Sequence, residues 1–268
     1  MANSYGYIQD LQTYADEFRS EVYPDNVVQT AGSLLLVQKL PLGKYEPTEY
    51  TVTIDQSDTP PAEGDTTIEV QSDAEFTVRK NTVLSFTSGD PVVVPTEQTI
   101  GTTTGALTVE PLSSNPPADS DTAVSWNLLR ALSPQALPLT IDNNNVDRKD
   151  YSFGLQGQEV KTRTNLSSSV QLINQLSDEA YHSVILPASQ QAENIFAVIV
   201  TGSQHAFGKV QVSGASDDNS LDEISRPSFD LMFQYPFTVV GAYQHLSTDR
   251  QNDLNEVRKR SGLAPLSV

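Results

Sequence analysis

At 268 residues the chain is long enough to bury a sizeable core and to carry one large β domain plus a smaller one. Its 34 acids against 16 bases give a formal charge of −18, which repels phosphate backbones and argues against sequence-specific nucleic-acid binding. Cysteine is absent, so disulfides, thiol chemistry and thiolate metal sites are excluded. No apolar run approaches the roughly 18 residues of a membrane span, and no basic-then-apolar leader opens the chain, so neither a span nor a secretory signal is expected.

Taken in order, the chain first offers an amphipathic helix, Gln9 to Val22, with Leu11, Tyr14, Ala15, Phe18 and Val22 on one face and Pro24 ending the pattern. Such a segment is expected to be an arm that packs on its own domain or on a neighbouring subunit. Gly32 to Leu40 reads as a buried strand. From Leu42 to Trp126 the character changes to short strands separated by proline and glycine. They are predicted at Glu49–Ile54, Thr66–Val70, Glu75–Val78, Thr82–Phe86, Pro91–Val94, Gly105–Glu110 and Thr122–Trp126. Residues 46–121 hold 14 acids and two bases, whereas 122–268 hold 15 acids and 11 bases. That contrast, with the Pro60-Pro61 and Pro116-Pro117 junctions, predicts an inserted acidic all-β domain over 42–126, of an immunoglobulin-like or related kind. A glycine–threonine–strand–serine pattern occurs at Gly64–Ser72 and again at Gly101–Ser113, but two copies do not make a repeat array.

Trp126–Leu132 and Ala136–Ile141 lead back to the main domain. Asp142 to Asp150 is predicted as a polar loop, and Tyr151–Gln156 resumes alternation. The segment 165–235 then reads as strand, helix, strand, strand, loop, strand. Its first strand is predicted over Leu166–Asn174. A short helix over Asp178–Ala188 has Ser177 as its cap and Asp178 and Glu179 in its first turn. Ala180, Tyr181, Val184, Ile185 and Ala188 make its apolar flank, and Pro187 limits its length. Asn194–Thr201 and Phe207–Ser213 are strands, Ala215–Arg226 an acidic loop, and Ser228–Tyr235 an alternating strand. Phe237–Val240 makes a last, separate strand. A C-terminal helix over 249–260 carries its acids early, its bases late and Gly262 as a C-cap. Leu254 and Val257 give it a thin apolar stripe, which predicts a surface helix or one that docks between subunits.

No catalytic, cofactor or metal site is predicted. His182, His205 and His245 are dispersed and fit no zinc spacing. His182 falls in the short helix, and His205 in a predicted turn between strands, without a visible partner. The nucleophile elbow, the phosphate loop and the dinucleotide fingerprint are all missing. Asp142–Asp147 and Asp217–Glu223 are oxygen-rich, yet neither completes a calcium loop with its central glycine and terminal glutamate. Paired carboxylates for glycoside hydrolysis lack the aromatic groove that would hold a sugar chain.

The 165–235 segment resembles the major tail protein, or tail tube protein, of long-tailed bacteriophages. The likeness rests on the Asp178-Glu-Ala-Tyr181 helix start, the strands over Phe196–Val200 and Phe207–Ser213, and the closing strand over Ile224–Phe233. It covers about residues 150–240 and the strand at 33–40. Leu107-Thr-Val-Glu-Pro-Leu112 and Asn115-Pro-Pro-Ala118 are similar to small β modules of phage virion proteins, with Asp119 where glycine is usual. The resemblance implies a β-sandwich or barrel with one flanking short helix, formed by 1–41 and 127–268, with the 42–126 insertion outside. It implies hexameric or pseudo-hexameric rings stacked into a tube, assembled in the host cytoplasm for the virion, without enzymatic activity, cofactor or membrane. Implied partners are further tail proteins: a terminator, a baseplate or tip, and a sheath where the tail contracts. DNA would pass through without specific binding. The alternatives from other classes are a capsid or head-decoration protein, a carbohydrate-binding or adhesin module, and a glycoside-acting enzyme.

Overall fold

The computed structural model describes residues 33–132, 134–148, 158–173, 178–201, 204–216, 226–241 and 246–266. The predicted Gln9–Val22 helix, the Ser177 cap, the Tyr151–Gln156 strand, the Asp217–Glu223 cluster and His245 lie outside these residues. The fold is mainly β, built of several antiparallel sheets with two short helices. No sheet among the described residues closes into a barrel. The chain divides into two compact units, one of 41–129 with 240–266 and the other of 33–40 with 130–239.

Strand β1 (Leu34–Lys39) belongs to the second unit. The first unit opens with β2 (Tyr50–Ile54), β3 (Thr67–Ser72), β4 (Phe76–Val78), β5 (Thr82–Leu84), β6 (Val92–Val94), β7 (Gln98–Ile100), β8 (Gly105–Thr108) and β9 (Thr122–Ser125). A four-stranded sheet in the order β8-β3-β2-β9 and two ribbons, β4–β7 and β5–β6, make up its β part. All three contribute to one apolar core, in which Val52, Ile54, Ile68, Phe76, Leu84, Val94 and Leu107 are buried. Tyr50 stacks on Phe76 with ring centroids 4.4 Å apart, worth about 0.5–1.5 kcal/mol beyond burial. The alternation of β2, β3 and β4 follows from one face meeting this core and one meeting water. The strand at Gln98–Ile100 was not predicted. It is three residues long with a single buried apolar side chain, too little pattern to stand out.

The second unit continues with β10 (Leu129–Arg130), β11 (Pro134–Ala136), β12 (Thr140–Arg148), β13 (Gln158–Leu172), β14 (Asn194–Val200), β15 (His205–Ser216) and β16 (Ser228–Val240). With β1 they form an eight-stranded sheet in the order β10-β1-β14-β15-β16-β13-β11, with β12 also paired to β13. The predicted polar loop at Asp142–Asp150 is corrected: residues 140–148 are a strand, running from Thr140 opposite Ser167 to Arg148 opposite Gln158. Pairing with β13 satisfies the backbone of a segment whose own propensity for strand is poor. For the same reason β13 begins at Gln158, eight residues before the predicted start at Leu166. Ser228–Tyr235 and Phe237–Val240 are one strand rather than two, and Pro236 lies inside it. The described register of β16 with β13 stops at Met232, so the proline's missing N–H interrupts none of those pairs.

The predicted 178–188 helix is a π-helical turn (Ala180–Ile185) that runs into α1 (Leu186–Gln191). Proline inside a regular α-helix loses one bond and collides with the carbonyl four residues back. Here the Leu186 N–H donates to Tyr181 O, five residues back, and the wider turn immediately precedes Pro187. The second helix, α2 (Thr248–Arg260), belongs to the first unit and not to the sheet unit with which the sequence grouped it. It has a fully buried side: Leu254 and Arg258 are each 1% exposed. Trp126 N–H donates to Arg260 O at 2.6 Å, and Val83 N–H donates to Gly262 O at 3.0 Å. The helix ends as predicted at Gly262, whose φ is +76°. Gly262 N–H bonds Lys259 O at 3.1 Å and Leu263 N–H bonds Arg258 O at 2.9 Å, the paired closure that satisfies the last carbonyls.

Candidate functional surface on the large sheet

The candidate surface is built from strand alternation. On β13 and β16 the buried residues Leu166, Val170, Leu172, Phe229, Leu231 and Phe233 share one face. The short helix packs there, with Tyr181 stacked on Phe229 at 6.4 Å between centroids. The other face carries Ser167, Ser169 and Gln171 of β13 beside Met232, Asp230 and Ser228 of β16. Gln234 continues that row, and its amide donates to Gln211 Oε1 of β15 at 3.5 Å. Lys209 lies two residues from Gln211 on the same strand and shares its face.

This surface is polar but nearly uncharged in balance. Ser169 Oγ donates to Asp230 Oδ1 at 2.6 Å, so the carboxylate is held along the sheet. Ser216 and Ser228 hydroxyls meet at 2.8 Å. Met232, 52% exposed, is the large apolar side chain in the middle of the row. Toward β14 and β1 the character changes: Ile195–Val200 and Leu34–Val37 are buried on both faces.

Asp178 fixes the helix against this sheet. Its side chain accepts from Tyr181 N–H at 3.0 Å and from Leu132 N–H at 2.9 Å. The carboxylate is 1% exposed, and that burial raises its pKa above the ordinary value, against the lowering effect of the backbone donors and of nearby His182. Asp178 therefore acts as the helix cap and as the clasp on the chain entering from β10. In the first unit Asp121 does comparable work at the surface. It accepts from Ser88 Oγ, from Thr87 Oγ1 at 2.6 Å and from Ala118 N–H at 2.7 Å, which hold its pKa below the ordinary value.

The histidines are not brought together as a site. His182 is half-buried in the π-turn, with its ring edge-on to Tyr181 at 5.1 Å. The turn predicted around His205 is corrected, since His205 is the first residue of β15, buried, opposite Val200. Alternation puts it on the sheet face away from the helix. Asp142–Asp147 is not a loop: its backbone is paired with β13, from Asp142 opposite Asn165 to Asp147 opposite Glu159. Among the described residues no group of three His, Asp or Glu side chains is placed to hold a metal. No described helix is long and apolar enough to cross a membrane. Sequence alternation located the β16 row, whereas its partners on β13 and β15 follow from register, which no local pattern encodes. No protein-family model matches the chain, and no curated protein matches it in sequence.

Proposed function

We propose that this chain is a structural virion protein, the subunit of a stacked-ring phage tail tube through which DNA is ejected. In this reading the sheet of the second unit is the tube-forming, tail-tube-like sandwich layer, and the acidic β unit is an external decoration. Subunits close into hexameric or pseudo-hexameric rings, which stack head to tail and bind further tail proteins at the ends. The role is mechanical, without catalysis or cofactor.

The observation that carries the reading is the large antiparallel sheet with unlike faces. One face is apolar under a short helix; the other bears the polar row Ser167, Ser169, Gln171, Ser228, Asp230 and Gln234, with Lys209 on β15 and the exposed Arg226 two residues before Ser228. A conduit for DNA works best when it holds no phosphate, since each Lys–phosphate contact adds salt-sensitive affinity that would retain the duplex. Hydroxyls, amides and a carboxylate give such a lining. The β12–β13 ribbon extends from Ser167 to Gln158, past the last pair of β13 with β16, and offers strand edges through which neighbours can join.

Solution scattering and negative-stain microscopy across protein concentration test the assignment. Rings or tubes are expected to grow with concentration, with a channel poor in Lys and Arg. A chain that stays monomeric throughout, or a reconstructed channel lined by Lys and Arg, overturns the tube and leaves head decoration as the better role.

A further inference from the structure

The first unit contains a cleft of about 420 Å³ between the end of β5 with the turn after it and the helix α2 with its tail. Its walls carry Ser85 and Pro91 on one side and Asn252, Glu256, Lys259 and Pro265 on the other. The volume falls within the range of small-molecule sites, about 300–1,000 Å³. The helix side is held rigidly: the Asn255 amide accepts from Leu266 N–H at 2.8 Å and donates to Leu266 O at 3.0 Å, which fixes the tail bearing Pro265.

We propose that this cleft binds a neutral polyhydroxylated ligand, a single sugar ring or the end of a neutral glycan. The charge pattern selects against ions. Glu256 Oε1 and Lys259 Nζ pair at 2.9 Å, so the cleft presents no net charge of its own. A phosphate or sulfate would have to take Lys259 from its partner on a chain of formal charge −18. A metal cation would find one carboxylate, already paired. What the cleft does offer is donors and acceptors together, from Asn252, Ser85 and the polarised ion pair, flanked by the flat C–H faces of Pro91 and Pro265. That combination matches a sugar ring, whose hydroxyls project around an apolar C–H face.

Ser85 adds a second reason. Its Oγ is sealed from solvent without a hydrogen-bond partner. A buried hydroxyl left unpaired is unfavourable, and Ser85, just past the end of β5, has more than one accessible staggered rotamer. Rotation toward the cleft gives it a partner when a ligand hydroxyl arrives. None of these residues lies in the large sheet, so sugar binding and tube formation stand or fall separately.

Saturation-transfer NMR on the full chain, with galactose, N-acetylglucosamine and the anionic N-acetylneuraminic acid, tests the site. A neutral sugar is expected to show transfer to its ring C–H protons with a Kd near 1 mM, about 4 kcal/mol. Asn252→Tyr fills the cleft from an exposed position and should weaken that binding at least about tenfold without lowering the melting temperature. Ser85→Ala, which removes no internal bond, should weaken it by about threefold and provides an independent readout. Absence of transfer from both neutral sugars overturns the proposal, as does equal transfer to either variant, or stronger transfer from the anionic sugar.

Discussion

Among the described glycines, Gly89 leaves the least room for a side chain. Its φ is +75°, and a Cβ built there would lie 2.5 Å from Pro117 N and 2.6 Å from the Pro116 carbonyl carbon. Those are backbone atoms that cannot rotate away. Gly89→Ala is expected to cost about 3 kcal/mol, from left-handed strain plus overpacking. Gly64 is the control: its φ is +86° but nothing lies within 4 Å, so Gly64→Ala should cost only about 1 kcal/mol. Equal losses for the two in urea denaturation would show that the Pro116-Pro117 contact carries no weight. At Asp178 the expectation concerns pH. Its folded pKa is raised by burial, so its contribution to stability is fully present below the unfolded value of about 3.9 and is lost as pH rises through the folded value. Asp178→Asn keeps one acceptor but turns an NH2 toward the other backbone N–H, and should cost about 2 kcal/mol. The deficit of the variant should be largest near pH 4 and shrink toward neutrality; a deficit that grows with pH would mean that the backbone donors outweigh burial.

Among the elements, α2 owes its place to bonds that its thin stripe of Leu254 and Val257 does not announce. Trp126 Nε1–H and Arg260 Nη1 both donate to Glu49 Oε1, at 3.0 and 2.5 Å, and the Arg260 guanidinium lies 5.9 Å from the Trp126 ring centre. The chain has one tryptophan, so its emission reports the surroundings of Trp126, of which this helix is part. Ending the chain at Ser247 should shift that emission to longer wavelength and destabilise the first unit by several kcal/mol, about 3–5 for the uncovered aromatic and apolar contacts. Unchanged emission would place the helix elsewhere in solution. The helix was legible in sequence through its charge polarity and Gly262, while its seat was not, because Arg258 reads as a solvated base until it is seen buried with Nε on Ala264 O at 2.9 Å. The β strands show the same division. Strands with a local signal, the continuous apolar run of Asn194–Val200 and the alternation of Thr67–Ser72, were readable locally. Asp142-Asn-Asn-Asn145 became strand only through its long-range partner, and Pro236 was read as a break because its neighbours in the sheet were unknown. The polar row on β16 was visible in its alternation, but Ser169 beside Asp230 required the register.

For the molecule as a whole, charge sets the conditions of assembly. Copies carrying −18 repel one another, and the repulsion reaches about 30 Å at 10 mM salt but only about 8 Å at 150 mM. Assembly into rings should therefore advance from low to moderate salt. Scattering curves that show the reverse would mean that attraction between opposite charges drives the contact. A related feature is the connectivity of the first unit, whose β part precedes residues 130–239 while α2 follows them. Translation delivers residues in that order. The ribosome thus exposes β5 and β9 long before it makes the helix bonded beside them through Gly262 and Arg260. The strands of the second unit have all been synthesised by then. A nascent chain can pair those strands while the small unit still waits for its closing helix, so the segment proposed to join neighbours is ready to fold before the segment proposed to decorate them.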